Sequence, residues 1–103
     1  MLTQDAALKQ RIDKALDLKK LKLPEKPHVV SLRWEYYEDA SSEESLRIWV
    51  ILADDTADEE ITGEAVHAIT WAIKDRLERD GVRLFPYISF ALESDMRSLL
   101  EPA

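Results

Sequence analysis

The chain has 103 residues, of which 46% are hydrophobic and 34% are charged, and its formal net charge at pH 7 is −7. This length and balance predict one folded domain over residues 1–103 and exclude a disordered or membrane-spanning chain. The chain has no cysteine, which excludes disulfides, thiolate metal sites and cysteine nucleophiles. The first residues show no secretion-signal pattern, so we expect a cytoplasmic protein.

Charge is unevenly divided along the chain. Residues 1–27 hold seven Lys or Arg against four Asp or Glu, and residues 28–103 hold seven against seventeen. The acidic excess argues against nucleic acid as a partner, while the asymmetry can steer a protein partner. The alternative is that the basic segment is solvated or lies beside the acidic edge of its own fold.

Residues 3–20 predict an amphipathic helix, within an N-terminal helix and linker that span 1–23. Thr3 is the expected N-cap. Apolar residues recur at helical spacing, and they are Leu8, Ile12, Ala15 and Leu16. Pro24 and Pro27 then end the helix and start an extended connection.

Two strands follow, each with alternating apolar residues. Residues 28–37 place one set on the predicted core face, namely Val30, Leu32, Trp34 and Tyr36. A polar loop leads to the strand 46–53, whose core face should hold Leu46, Ile48, Val50 and Leu52. The second strand is also apolar on its other face near its C-terminal end, as expected of a strand that is covered on both sides.

The second helix is predicted to begin at a capping box and to end at a glycine. Thr56-Ala57-Asp58-Glu59 matches the capping-box pattern, and the helix should run to about Arg79 and stop at Gly81. Gly63 weakens the helix and marks a break after a short first turn. The inward stripe should comprise Val66, Ile69, Thr70, Ile73 and Leu77.

Residues 82–92 predict a third strand, which completes a ββαβ core over 28–92. Pro86 has no amide donor, so this strand belongs at a sheet edge or at a bulge. The remaining residues 93–103 form a tail with one short helix around Met96 to Leu100.

The order α-β-β-α-β predicts an α+β fold, a two-layer α/β sandwich whose three-stranded sheet carries both helices on one face. This order, with Glu64-Ala65-Val66-His67 in the second helix, resembles the small C-terminal domain of cation diffusion facilitator transporters. That family's pattern of metal-ligand histidines is absent, so the resemblance implies a topology and no site. The order is also similar to one type of KH RNA-binding domain, whose Gly-x-x-Gly loop this chain lacks.

No residue pattern predicts an enzyme or a cofactor. The chain has two glycines, too few for a phosphate-binding loop, and no serine lies in a Gly-x-Ser-x-Gly elbow. His28 and His67 stand in no metal-ligand spacing. His67 shares a side of the helix with Trp71, which favours a ring contact on the surface, and a ligand or general-base role is the alternative.

An acidic junction between the second strand and the second helix suggests a different functional hypothesis. Carboxylates bind hard cations, and Asp54, Asp55 and Asp58 would hold a metal ion or a small ligand in a sensor-type domain. The segment lacks the spacing of a calcium loop. Acids are also favoured at a helix N-terminus for electrostatic reasons alone. We therefore expect no tight site for divalent cations.

The sheet face opposite the helices gives the leading functional hypothesis. Its predicted apolar centre comprises Tyr37, Trp49, Ile51, Phe85 and Tyr87, and its polar margin comprises Arg33, Glu35, Arg47, Arg83 and Ser89. A solvated face should be polar throughout, whereas an apolar centre with a charged rim is typical of protein interfaces. We expect a small accessory or regulatory domain that forms a homodimer through this face. The alternative is that the tail covers the face with Met96, Leu99 and Leu100.

Overall fold

Three helices and a three-stranded sheet make up residues 6–38 and 40–100, the part of the chain that the computed structural model describes. In chain order the elements are α1 (Ala6–Ala15), β1 (Val29–Glu38), β2 (Glu44–Leu52), a 3-10 turn (Asp58–Glu60), α2 (Gly63–Arg79), β3 (Phe85–Leu92) and α3 (Glu93–Leu100). The predicted α+β fold is confirmed, with the short helix of the tail as its last element. The expected N-cap at Thr3 lies outside the described residues.

The strands form one mixed sheet in the order β1-β2-β3. β1 and β2 pair antiparallel as a hairpin. β2 and β3 run parallel, from Ser45 opposite Phe85 to Leu52 opposite Leu92, and α2 supplies the crossover that a parallel pair requires. β3 is therefore an edge strand, as Pro86 predicts.

The core lies between the sheet and the two longer helices. The alternate side chains of β2 on this face are at most 1% exposed, and they are Leu46, Ile48, Val50 and Leu52. The core also contains Ile12 and Ala15 from α1, Leu16 from the turn after it, and Ile69, Ile73 and Leu77 from α2. Both helices therefore pack on one face of the sheet, as the sequence predicts. Of the predicted stripe of α2, Val66 and Thr70 are only half-buried, and Ala65 is buried instead.

Hydrogen-bonded side chains attach α1 to β1. The Trp34 indole Nε1 donates to Asp13 Oδ1 at 2.8 Å, and Lys9 Nζ donates to Asp13 Oδ2 at 2.8 Å. The hydrogen bond from Lys9, and then the one from Trp34, hold the pKa of the Asp13 carboxyl below its ordinary value. Trp34 also lies edge-on to Tyr36, with ring centres 5.1 Å apart. The acidic side chain of α1 thus fixes the helix to an aromatic residue of the sheet.

α1 ends before the predicted end of the helix at residue 20. Its last residue is Ala15, and the Asp17 carboxylate accepts a hydrogen bond from Lys19 N at 2.9 Å. A short acidic side chain that bonds nearby backbone in this way competes with helical pairing. The predicted extension of the helix over 16–20 is therefore wrong, and turns carry this segment alongside α2.

The capping box predicted at Thr56 is wrong. Thr56 Oγ1 donates to the carbonyl oxygen three residues earlier at 2.6 Å, and the acidic residues that follow form the separate 3-10 turn. α2 begins only at Gly63, where the Thr62 side chain accepts from Ala65 N at 3.0 Å as the N-cap. The predicted break at Gly63 and the predicted stop at Gly81, whose φ is 79°, are confirmed.

An irregularity at the start of β1 changes which side chains reach the core. The register with β2 shifts between Val29 and Ser31. A bulge of this kind adds one residue and reverses the alternation beyond it. Val29 therefore packs against the core in place of Val30, which corrects the prediction. The predicted alternation is confirmed from Leu32 onward.

Ile73 tests the packing of α2 on the sheet. Its side chain is fully buried, so Ile73→Ala removes packed atoms and should lower the free energy of unfolding by roughly 2–5 kcal/mol. Glu78→Ala, at an exposed position of α2, is the control and should change it by less than about 0.5 kcal/mol. Denaturant titration measures both. A loss below about 1 kcal/mol for Ile73→Ala would contradict the packing of α2 on the sheet.

Candidate functional site

The open face of the sheet, opposite α1 and α2, carries four rows of side chains. Pairing across the strands gives the rows Tyr37–Ser45–Phe85, Glu35–Arg47–Tyr87, Arg33–Trp49–Ser89 and Ser31–Ile51–Ala91. Alternation along each strand directs these side chains away from the two helices. The first three rows bring together four of the five predicted centre residues. We call the cluster they form the aromatic patch, and it comprises Tyr37, Arg47, Trp49, Phe85 and Tyr87.

Arg47 lies at the centre of the aromatic patch. Its guanidinium carbon is 4.1 Å from the ring centre of Tyr37 and 5.8 Å from that of Trp49. Its Nη1 is 3.8 Å from Glu35 Oε1. A guanidinium near ring faces is attracted to both rings, whereas a long ion pair between partly exposed groups contributes little. The aromatic rings therefore hold Arg47 in place more than Glu35 does.

The aromatic rings of the patch contact one another edge to face. The ring centres of Tyr37 and Tyr87 are 5.5 Å apart, and those of Phe85 and Tyr87 are 4.8 Å apart. These contacts still leave 55% of Phe85 and 40% of Tyr87 exposed. Burial of apolar area stabilises by about 25 cal/mol per Å², and these rings forgo much of it. The patch is ordered within the chain and remains open to a partner.

α3 covers the fourth row of the open face and leaves the other three open. Met96 of α3 and Ile51 of β2 are each 4% exposed, and both line a small cavity together with Ser31 and Arg33. Ile51, predicted as an interface residue, is therefore buried within the chain and is not accessible to a partner. The tail cover and the open apolar centre, predicted as alternatives, are both present on different parts of the face.

The tail residues predicted to cover the face are only partly described. Met96 provides the cover over Ile51. The side chains of Leu99 and Leu100 lie outside the described part of the chain.

Asp54 fixes the start of α3. Its Oδ1 accepts a hydrogen bond from Ser94 N, in the first turn of that helix, at 2.9 Å. This hydrogen bond is the largest cause that lowers the pKa of the Asp54 carboxyl, and Arg97 adds a smaller effect. A carboxylate at a helix N-terminus satisfies an amide that the helix leaves without a partner. Asp54 therefore serves as a cap for α3.

The acidic junction does not gather its carboxylates into a set of metal ligands. Asp54, Asp55 and Asp58 are all exposed. Across residues 6–38 and 40–100, no group of three or more His, Asp or Glu side chains is placed to hold a metal ion. Hard cations need several oxygens at once. The sensor hypothesis therefore gains no support from the geometry.

The helical layer carries a groove that no sequence pattern predicts. α2 and the segment 20–22 border a space of about 640 Å³, which we call the α2 groove. Trp71 lines it and is 60% exposed. His67 lines the same groove, and so do four cationic residues, Lys20, Lys22, Arg76 and Arg79. Asp75 also lines the groove and pairs with Arg79 at 2.8 Å, so this stretch of α2 is mixed in charge.

Arg47 is the patch residue that the sequence pattern misses. A charged residue between apolar ones on an open face is predicted to lie at the polar margin. Its role becomes visible only from the register, which sets Tyr87 beside it on β3 and brings Tyr37 of β1 within reach of its guanidinium. Arg, like Tyr and Trp, is enriched among residues that dominate binding energy.

Asp54→Asn tests the attachment of α3. The variant loses the charge that accepts from Ser94 N, so we expect faster amide hydrogen exchange in the first turn of α3. Asp55→Asn removes the same charge at the neighbouring exposed position and is the matched control. Equal exchange rates in the two variants would show that Asp54 does not hold α3.

The same contact predicts a pH dependence with a defined sign. The folded pKa of Asp54 is below its ordinary value, so its stabilising effect is present above the ordinary pKa and is lost as the pH falls through the lowered folded value. Acid should therefore lower the protection of the amides in the first turn of α3, measured relative to their intrinsic exchange rate at each pH, in the unmodified protein. Asp54→Asn should show no such acid step.

Calorimetric titration tests the acidic junction. Since the carboxylates are dispersed, we expect no micromolar binding of Ca²⁺, Mg²⁺, Mn²⁺ or Zn²⁺. Micromolar binding that Asp55→Asn removes would contradict this expectation and would support the sensor-type domain.

Comparisons with protein-family models, curated proteins and solved structures find no match to this chain. The resemblance to the cation diffusion facilitator domain therefore concerns element order alone. Among the described residues, no helix has the length and apolar composition needed to cross a membrane. The aromatic patch and the α2 groove are the two surfaces from which a function can be argued.

Proposed function

We propose that the protein is a small accessory or regulatory subunit that acts by protein association and forms a homodimer through the aromatic patch. The observation that carries the proposal is the exposure of Phe85 and Tyr87 in a cluster of rings on one sheet face. A solvated sheet face is normally polar. An apolar centre of this kind marks a surface that is buried in an association.

The residue types of the patch support a binding role. Trp, Tyr and Arg dominate the energetics of protein interfaces, and the patch contains all three, with Arg47 beside both Tyr37 and Trp49. The ring contacts also order these side chains before any partner arrives. Docking therefore costs less side-chain entropy than it would for a set of free side chains.

The charges around the patch suit a second copy of the chain. On the open face, Arg33 and Arg47 accompany a single carboxylate, Glu35, within the three open rows, although the whole chain carries −7. Two copies that meet here keep most of their acidic charge away from the contact.

The proposed role is binding, and no chemical reaction is assigned to the protein. A cytoplasmic location is part of the same proposal, because a chain without cysteine makes no use of an oxidising compartment.

Trp49→Glu tests the sheet-face contact. The substitution sets two new negative charges near each other across the two-fold axis and leaves the helix side of the sheet unchanged, so we expect a folded protein that no longer associates through this face. Lys14→Glu adds a negative charge on the exposed side of α1 and is the control. Sedimentation at micromolar and higher concentrations compares the three proteins. A monomeric unmodified protein at high concentration would refute the homodimer.

Ionic strength gives a second measurement on the same contact. Because each copy carries −7, long-range repulsion opposes association, and salt that screens it should strengthen association of the unmodified protein. Association that weakens with salt would mean that the contact depends on ion pairs more than on the aromatic rings.

A further inference from the structure

The two edges of the sheet differ in their ability to accept another strand. β3 forms one edge, and its Pro86 has no amide to donate. β1 forms the other edge with ten residues, Val29–Glu38, and contains no proline. Within the described part of the chain, no hydrogen bond from another segment reaches the outer side of the β1 backbone. β1 is therefore the edge that presents an unpaired row of amide and carbonyl groups.

The helices leave the core face of this edge strand half covered. The core-facing side chains of β2 are at most 1% exposed, whereas Leu32, Trp34 and Tyr36 of β1 are only half-buried. A strand added beside β1 would bury more of these three side chains, and burial of apolar area stabilises the contact. The edge thus offers apolar area together with its backbone groups.

The charges of β1 have opposite signs on the two sides of Trp34. Arg33 precedes Trp34 and Glu35 follows it, and both charged side chains are exposed on the open face. Arg33 makes no ion pair with another described residue, and Glu35 makes one long contact of 3.8 Å to Arg47. A strand that carries the opposite order of charges would therefore pair with both residues.

β1 is itself such a strand when it runs antiparallel. A two-fold axis at Trp34 sets Arg33 opposite the partner's Glu35, and Glu35 opposite the partner's Arg33, so two ion pairs form together. An axis at Arg33 or at Glu35 would instead set like charges directly opposite each other, which is destabilising. On the core face, the axis at Trp34 sets Leu32 opposite the partner's Tyr36. The charge order of β1 is therefore complementary to itself in this one register.

We propose that two copies of this chain pair edge to edge through β1, antiparallel about a two-fold axis at Trp34. The two three-stranded sheets then become one continuous sheet. Backbone hydrogen bonds supply the affinity, as in other contacts made by strand addition, and the pairs between Arg33 and Glu35 set the register. The axis is perpendicular to the sheet, so the helices of both copies lie on one face and both aromatic patches lie on the other.

The edge contact is independent of the contact proposed for the aromatic patch. Phe85 and Tyr87 of the patch belong to β3, the strand farthest from the outer edge of β1. Phe85 is 55% exposed, so Phe85→Glu adds a charge to the patch and leaves β1 unchanged. This variant is the background in which the edge contact is measured. If the patch makes no contact, the background associates as the unmodified protein does and still tests the edge.

Charge variants of β1 test the register in the Phe85→Glu background. Arg33→Glu and Glu35→Arg each set like charges opposite each other twice, so each should weaken self-association in sedimentation by about tenfold. An equal mixture of the two variants restores both ion pairs between unlike copies and should associate as tightly as the Phe85→Glu parent. Lys14→Glu changes the net charge as much as Arg33→Glu does, on the exposed side of α1, and is the control.

Three results of the charge experiment would overturn the edge contact. They are a parent that is monomeric at high concentration, single variants that associate as tightly as the parent, and a mixture that stays as weak as its separate components.

The absence of cysteine in the chain permits a direct measurement of the register. In a mixture of Arg33→Cys and Glu35→Cys, the two thiols lie directly opposite each other between copies, so mild oxidation should join the variants by a disulfide. The second pair of Arg33 and Glu35 remains intact in that complex. Arg33→Cys alone sets its two thiols two residues out of register and is the matched control, which should crosslink far less. Equal crosslinking in the mixture and in the control would overturn the axis at Trp34.

Discussion

The whole arrangement depends on β2 as the central strand of the sheet. It is hydrogen-bonded along both edges, and its four buried aliphatic side chains form the floor of the core. The helices cover that face along its full length. On its other face Ile51 is covered by α3, while Arg47 and Trp49 remain at the open part. One strand thus determines both the hydrophobic core and the position of the aromatic patch.

Periodicity was enough to predict the elements and most of their buried faces. The alternation in β2 and the spacing of Ile69, Ile73 and Leu77 in α2 are local patterns, and burial follows them directly. The edge position of β3 was also predictable, because Pro86 limits hydrogen bonding. These features share one cause, since each is encoded within a single segment of the chain.

Element ends were harder to predict because short polar side chains compete for the same backbone groups. Asp17 ends α1 by bonding to Lys19 N, although the apolar spacing continues past it. Thr56 and Thr62 are both suitable N-caps by residue type. Thr56 bonds back to the end of β2 instead, and Thr62 caps α2. The choice between them depends on the three-dimensional course of the chain.

In the candidate sites, too, some features follow from local patterns and others depend on contacts between distant segments. Alternation alone places Tyr37, Trp49, Phe85 and Tyr87 on one face, whereas the role of Arg47 and the burial of Ile51 depend on contacts between distant segments. The α2 groove likewise requires the turns after α1 to bring residues 20–22 beside the helix. Non-local packing of this kind leaves no trace in the spacing of one segment.

The parallel pairing of β2 with β3 has a consequence for the order of events during folding. The β1–β2 hairpin closes a short loop, whereas β3 can join β2 only after the chain has crossed over through α2. Tyr37 and Arg47 belong to the early hairpin, and Phe85 and Tyr87 arrive with the last strand. The aromatic patch is therefore complete only when all three strands have paired. A partner that needs all three strands cannot bind a chain that is still incomplete.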